Sequence, residues 1–280
     1  MSDVAPSLAP GILEGEVALV SGGGSGIGRE TALELARLGA RVVVCGRRLE
    51  PLQETAALAP DGRIEPVACD IREEDEVDAL VDGVLERHGR LDILVNNAGG
   101  QYLSPAEDIT PKGFRTVIRL NLEGTWLMTH AVATKAFIAS GRGGRIVSVT
   151  LTPHTGLTGM AHSSAARAGV ENLMKVLAIE WARFRINCVA VAPGIVETET
   201  FKTKYPPEFR EYYERQALAG ELTQPEHVAQ TIAFVVSPGG RAISGSVVNV
   251  DFAHDLHQAP YPPREITTER GTIQQEERRA

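Results

Sequence analysis

Short β-rich apolar runs alternate, almost from the start of this chain, with longer segments whose apolar positions recur at helical spacing. The runs at 16–20, 41–45, 64–69, 93–95, 145–150, 186–191 and 246–250 predict strands. The segments 26–38, 73–88, 113–140, 165–181 and 225–237 predict helices, the last with Thr223 or Gln224 at its cap and Pro225 as its first residue. Strand–helix alternation of this kind builds parallel βαβ units, because parallel neighbours need a crossover long enough to hold a helix. The predicted fold class is α/β: a doubly wound parallel sheet of about seven strands with helices on both faces.

No internal repeat and no boundary between two cores interrupts the rhythm, so one domain is expected over 1–280, with its core over about 15–251. Two segments break the alternation. Residues 198–222 are polar, dotted with aromatics and too long for a simple connection, which predicts a lid or substrate loop. The extension 252–280, with His254, His257, Pro260 to Pro263 and the charged run 274–280, is expected either to be mobile or to dock on a neighbouring subunit.

Composition narrows the function by exclusion. A formal charge of −8 argues against the basic face that nucleic acid or an anionic membrane would require, so neither is an expected partner. Cys45, Cys69 and Cys188 lie far apart without CxxC spacing, and two sit in apolar runs; buried reduced thiols in a reducing compartment are predicted. Residues 1–13 lack a basic start and a long apolar run, and no apolar stretch approaches bilayer length, so a cytoplasmic location is expected. The seven histidines show no metal spacing such as HExxH, so no catalytic metal is expected.

The strongest chemical signal is Ser21-Gly22-Gly23-Gly24-Ser25-Gly26-Ile27-Gly28, directly after the first predicted strand and opening the first predicted helix. In this Rossmann-type setting Gly22 permits a tight turn, Gly26 lets backbone amides approach a pyrophosphate, and Gly28 lets the helix pack on the sheet. The helix N-terminus, with Ser25 and Ile27, then faces the phosphates. At the end of the second strand a carboxylate would hold the ribose hydroxyls of NAD. Gly46 stands there instead, followed by Arg47 and Arg48. Guanidinium groups bind a 2′-phosphate that a carboxylate would repel, so NADP(H) is the expected cofactor. The alternative is a solvated basic pair that merely starts a helix.

These motifs together resemble the short-chain dehydrogenase/reductase family, over about Gly15 to Asp251. Ser21 to Gly28 matches its TGxxxGIG loop with Ser for Thr, and Asn96-Asn97-Ala98-Gly99 matches NNAG. The resemblance implies that Asp70, with Ile71 beside it, contacts the adenine, and that Asn97, Ala98 and Gly99 line the cofactor. It further implies that Pro193-Gly194, with Ile195 and Thr198, meets the nicotinamide carboxamide, and that Asn121 is the family's helix asparagine. A homodimer or homotetramer is implied too, through a four-helix interface made by the segments 113–140 and 165–181; simple packing on the sheet would explain their apolar stripes equally.

The departures bear most on the reaction. Aligning Arg167-Ala168-Gly169-Val170 with the family's Lys-Ala-Gly-Val puts Arg167 at the lysine and Ser163 at the tyrosine of Tyr-x-x-x-Lys. The family's serine falls on Leu151, between Thr150 and Thr152. A phenol of pKa about 10, lowered by a nearby lysine, protonates a substrate oxygen; a Ser hydroxyl is far less acidic, and Arg is no proton donor. Arg167 retains donors for the nicotinamide ribose. The run His162 to Val170, followed by Glu180-Trp181-Ala182 and Ile186-Asn187-Cys188, is similar to peroxisomal-type trans-2-enoyl-CoA reductases, as is Gly99 to Glu107. The related dienoyl-CoA reductases also lack the standard tyrosine. In those enoyl-CoA reductases hydride goes to the β-carbon of an enoyl thioester and a proton to the α-carbon, and the developing enolate is stabilised by hydrogen-bond donors without a phenol. The resemblance therefore implies a small-molecule substrate of the acyl-CoA type, with Asn121, Thr150, Ser163 and Arg167 at the reacting site. Glu171, where that group can have a tyrosine, and Asp251-Phe252-Ala253 in place of Asp-Gly-Gly depart from it, and Arg278-Arg279-Ala280 is no peroxisomal address.

Other candidates carry two readings each. Tyr102 could donate a proton near the nicotinamide or simply pack. His154 and His162 bracket the altered segment and could act as acids near neutral pH, or be hydrogen-bonded structural histidines. Asp92 reads as a turn or cap residue. Three functions remain open from sequence: an NADPH-dependent reductase of an activated double bond, an alcohol or aldehyde dehydrogenase of the same fold, and a catalytically silent NADP(H)-binding protein.

Overall fold

The seven apolar runs pair as one parallel sheet: β1 (Val17–Ser21), β2 (Arg41–Gly46), β3 (Ile64–Ala68), β4 (Ile93–Asn96), β5 (Gly144–Val149), β6 (Ile186–Pro193) and β7 (Val247–Val250), in the order 3-2-1-4-5-6-7. The computed structural model describes residues 4–256 and, beyond them, the short antiparallel pair Ile266–Thr267 and Thr272–Ile273. His257 and the stretches 260–263 and 274–280 of the predicted extension lie outside the described residues.

The connecting helices are α1 (Gly26–Arg37), α2 (Leu49–Leu58), α3 (Glu74–His88), α4 (Pro111–Ile118), α5 (Gly124–Val132), α6 (Ala161–Glu180), α7 (Glu199–Lys204), α8 (Pro207–Gln216) and α9 (Pro225–Val236). Successive strand residues feed two different cores. Leu19, Val43, Ile146 and Cys188 pack with α3, α5 and α6, whereas Val20, Val44, Val147 and Val189 pack with α1, α2 and α9. Burial on both faces makes the strands continuous apolar runs rather than alternating ones. Chain order reverses between β1 and β4, which pair directly through Val20 and Val95. Ligands of such sheets bind outside the carboxyl ends of the strands at this point.

Four local features differ from the sequence reading. The predicted helix 113–140 starts earlier, at Pro111, because the Thr110 hydroxyl caps it by accepting from Gly113 N at 3.0 Å. Two π-turns, at Arg119–Glu123 and Ala133–Ile138, interrupt it. Helix α2 is missing from the predicted elements because only Leu52 and Thr55 of it are buried, too thin a stripe to read. Helix α6 begins at Ala161, not 165, since its first turn turns polar His162 and Ser163 inward instead of apolar side chains. The segment 198–222 is not a loop but holds α7 and α8: Thr198 caps α7 by accepting from Phe201 N at 3.1 Å, and Pro207 opens α8. Phe201, Tyr205, Phe209 and Tyr213 stack along this pair, which gives the polar segment its own small core.

Candidate active site

A cavity of about 620 Å³ opens at the switch between β1 and β4. Its floor is the glycine loop. Gly22 and Gly26 have φ of 68° and 52°, a left-handed backbone that glycine adopts without strain. A Cβ on Gly22 would stand 2.9 Å from Ala98 Cα and from Asn97 Nδ2, and one on Gly28 would run into the Gly22 carbonyl. Asn97 locks the loop from the other side, its Nδ2 donating to Ser21 O at 3.0 Å and Gly22 O at 3.2 Å. Ser21 is buried, and its Oγ accepts from Asn97 N and Ala98 N at 3.1 and 3.0 Å. Ser21 and Gly28 thus shape the cradle without lining the cavity, whereas Gly22, Ser25, Gly26 and Ile27 line it. The Ser25 side chain leaves the first turn of α1 uncapped, so its free N–H groups and positive dipole end suit a phosphate.

The other residues expected around a dinucleotide converge on the same cavity. Arg47 and Arg48, exposed beyond β2, line it together with Asp70, Ile71, Asn97, Ala98, Gly99, Pro193, Gly194, Ile195 and Thr198. The hydrogen-bonded Arg72 guanidinium, aided by the charge of Arg47, holds the Asp70 carboxyl below its ordinary pKa. No carboxylate stands at Gly46. A long cradle with glycines at its closest approaches and cations at one end fits a dinucleotide in shape and charge.

At the reacting end the four expected residues separate. Thr150, at the end of β5, and Arg167, on α6, line the cavity. The Arg167 guanidinium donates to Val149 O, and its Nε is buried without a protein partner, so it keeps donor capacity to spare. Although the residue shows some surface where the cavity opens, its head is ringed by protein, and burial pushes its pKa down to about 10; it stays a cation at neutral pH. Gly99 makes room for it, since a Cβ there would meet the guanidinium and would stand 2.7 Å from Asn121 Oδ1. Asn121 is buried in the first π-turn and does not line the cavity. Its amide holds the loop after β4, accepting from Gly100 N at 3.2 Å and donating to Gly100 O at 2.8 Å. Ser163 is fully buried and also absent from the lining; its hydroxyl donates to Gln101 Oε1 at 2.6 Å.

Residues 22–252 match the family model described as enoyl-(acyl carrier protein) reductase. The chain belongs to the short-chain dehydrogenase/reductase family. It is therefore an oxidoreductase of a family that uses nicotinamide cofactors. It is 31% identical to the peroxisomal 2,4-dienoyl-CoA reductase [(3E)-enoyl-CoA-producing] of Arabidopsis thaliana over 267 residues, covering 91% of this chain and 90% of that one. It is 33% identical to a 3-oxoacyl-[acyl-carrier-protein] reductase of Thermotoga maritima, covering 85% of this chain and 97% of the relative. Among solved structures, a citronellol catabolism dehydrogenase of Pseudomonas aeruginosa superposes with a TM-score of 0.80 at 38% identity, covering 89% of this chain and 99% of that one.

Several residues of this family member's site were not singled out as site residues by the sequence, although the segment 198–222 was expected to meet the substrate and Glu171 stood out as a departure. Gln101, Leu157 and Met160 line the cavity, as do Phe201, Lys204 and Tyr205 of the α7 region. Tyr205 Oη accepts from Gln101 Nε2 at 3.3 Å, so the phenol bonded next to the cavity comes from α7's end and not from α6. Glu171, on α6, accepts from Thr150 Oγ1 at 2.9 Å and contacts His154 Nε2 at 3.0 Å. A charged residue on the otherwise buried stripe Ser163, Ala166, Val170, Met174, Leu177 of α6 is the signal that could have found it. His162 is buried edge-on against Tyr102, ring centroids 4.4 Å apart, and burial lowers its pKa, which keeps it neutral. Asp92 is a structural residue: its carboxylate accepts from Val17 N at 2.9 Å and binds Arg90. The three cysteines are buried and free. Among the described residues no His, Cys, Asp and Glu side chains converge to hold a metal ion, and no helix is long and apolar enough to cross a membrane.

Proposed function

We propose that this chain is an NADP(H)-dependent reductase of the C=C bond of an enoyl-CoA thioester. One observation carries the reading: Thr150 and the cationic Arg167 line the reacting end, while the residue at the family's tyrosine position, Ser163, is buried and turned onto Gln101. Interconverting a ketone and an alcohol needs an acid of matched pKa on the substrate oxygen. A threonine hydroxyl and a guanidinium are not themselves such acids. The guanidinium does supply hydrogen bonds to a developing enolate, and the Thr150 hydroxyl joins it once its proton turns away from Glu171; a single well-aimed donor contributes about 2.7–4 kcal/mol. The dinucleotide supplies the hydride when bound. Arg47 and Arg48 would hold its 2′-phosphate, the α1 N-terminus its pyrophosphate, and Arg167 its nicotinamide ribose. Asn121 acts as a positioning residue, holding Gly100 so that Gly99 and Gln101 keep their places. The similarity to a 2,4-dienoyl-CoA reductase supports an acyl-CoA substrate. The exposed Phe114, Trp126, Val176 and Ile179 on α4, α5 and α6 support a homodimer or homotetramer formed through these helices, and a cytoplasmic location goes with the reading.

NADPH oxidation across a panel of trans-2-enoyl-CoA chain lengths tests the reading, with turnover at one or more lengths as the expected result. A second reading, alcohol or aldehyde dehydrogenation, is favoured by the phenol of Tyr205 in the same cavity and by the similarity to a citronellol catabolism dehydrogenase. Ready oxidation of a hydrophobic alcohol with no turnover of any enoyl-CoA would put the second reading in place of the first.

A further inference from the structure

A line of hydrogen bonds leaves the cavity behind Thr150 and reaches the surface. Thr150 Oγ1 donates to Glu171 Oε1 at 2.9 Å, and the same carboxylate oxygen lies 3.0 Å from His154 Nε2. The other ring nitrogen of His154 is hydrogen-bonded to Asp255. The members come from the end of β5, from α6, from the loop between them and from the segment after β7. The side chains of Glu171 and Asp255 are each 10% exposed, whereas His154 is 33% exposed and in touch with water.

Asp255 is fixed on every side: it accepts from the His154 backbone N–H at 2.6 Å and from Asn249 Nδ2 at 3.2 Å, and its own N–H donates to Asp251 at 2.8 Å. Glu171 from α6 and Asp255 from the segment after β7 are the charged groups facing the ring among the described residues. Burial alone would lower the pKa of His154. The bond to Asp255 and the charges of both carboxylates prevail and hold it above its ordinary value. The ring thus takes up a proton more readily than a free imidazole and is set between two carboxylates, one of which touches a hydroxyl at the cavity.

We propose that His154, Glu171 and Thr150 form a relay that carries a proton from solvent to the substrate, in place of the tyrosine and lysine that Ser163 and Arg167 replace. The proposal rests on the reductase reading. In one turnover His154 Nε2 gives its proton to Glu171 Oε1 and the Thr150–Glu171 hydrogen bond reverses, so that Glu171 donates that proton to Thr150 Oγ1 while the hydroxyl's own proton, turned from the carboxylate to the cavity, moves to the α-carbon of the enolate, whose electron pair forms the new C–H bond. Thr150 and Glu171 end as they began. His154 has lost one proton and takes another from water.

Two measurements test it. The ring of His154 is titrated by NMR in the substrate-free protein, wild type and Glu171→Gln. It is expected to titrate above its ordinary value in the wild type and lower in the variant; an ordinary value in both overturns the relay. Then kcat and KM are followed against pH with NADPH and a trans-2-enoyl-CoA. Wild-type kcat is expected to fall as pH rises through the pKa of the ring. His154→Gln and Glu171→Gln are expected to lose that limb and about 100-fold in kcat at unchanged KM and NADPH affinity, with Glu171→Asp restoring part of the rate. Unchanged pH profiles in the variants, or a loss confined to KM and thermal stability, overturn the relay and leave the reductase reading standing. No turnover by the wild type on any enoyl-CoA overturns that reading and the relay with it.

Discussion

Replacing Arg47 by alanine isolates the feature on which the proposed preference for NADP(H) rests. Arg47 is exposed beyond the end of β2, lines the cavity and makes no hydrogen bond or salt bridge among the described residues, so its loss leaves the fold intact. A hydrogen bond to a charged partner is worth about 1.5–3 kcal/mol net. Solvent exposure and salt move an exposed pair toward the bottom of that range or below it, and Arg48 remains to compensate in part. About 1–2 kcal/mol is therefore expected, a weakening of NADPH binding by roughly 5- to 30-fold. NADH lacks the 2′-phosphate and should bind both proteins alike. Removing the cation also relaxes one influence that holds Asp70 low, but the hydrogen-bonded Arg72 is the larger one and stays. Fluorescence titration of NADPH and NADH into wild type and Arg47→Ala, at low and high salt, reads all of this. NADPH binding by the wild type should weaken with salt, and the variant, left with Arg48 alone, should show a smaller salt dependence. Equal NADPH affinity in the two proteins would refute the assignment and leave Arg47 a solvated residue at the start of α2.

Gly28→Ala puts a methyl group against the Gly22 carbonyl, and is expected to cost about 1–3 kcal/mol of stability together with loss of dinucleotide binding, read by thermal melting with and without NADPH. Asp92→Ala leaves the Val17 N–H without its acceptor inside the sheet; a loss of about 1–3 kcal/mol in chemical denaturation with unchanged kcat is expected, because the residue stands away from the cavity. The His154–Asp255 pair gives stability a pH window. The raised pKa of His154 contributes stability that is full below about pH 6.5 and lost as pH rises through the folded value, while the lowered pKa of Asp255 contributes above about pH 3.9 and is lost as pH falls through its folded value. The stability difference between wild type and Asp255→Asn should therefore be greatest between these limits and shrink on both sides, as measured by denaturant unfolding across pH.

The sheet was legible because burial on both faces writes its strands as unbroken apolar runs, and the cradle because glycine is required where the backbone turns left-handed at Gly22 and Gly26 or where Gly28 meets a carbonyl. These are local demands on single positions, so they survive in the residue types themselves. Helix α2 and the α7–α8 pair make no such demand. One buries only Leu52 and Thr55, and the others are held by aromatic contacts between Phe201, Tyr205, Phe209 and Tyr213, which periodicity over a short segment does not reveal. The residues expected at the reacting end were legible as positions but not as contacts. Alignment put Ser163 and Thr150 side by side as candidates, yet a hydroxyl's partner is set by packing across the fold. Ser163 meets Gln101, sixty-two residues away, and Thr150 meets Glu171.

Those two contacts bear on each other. A carboxylate on the buried stripe of α6 costs several kcal/mol unless it is paired. Glu171 gets its hydrogen-bonding partners from Thr150 and His154, so the acid is tolerable only while the loop carrying His154 stays folded onto α6 and held by Asp255. A phenol at 163 would have to displace Gln101, and with it the bond to Tyr205 that ties the α7 region to the cavity's edge. The small residue at 163 and the charged one at 171 are therefore parts of one arrangement: the first leaves room for Gln101, and the second gives Thr150 a partner that reaches solvent. Loss of the tyrosine and lysine by decay would not explain a buried glutamate aligned with a cavity hydroxyl on one side and a histidine ring on the other. A site rebuilt around a different proton path explains both.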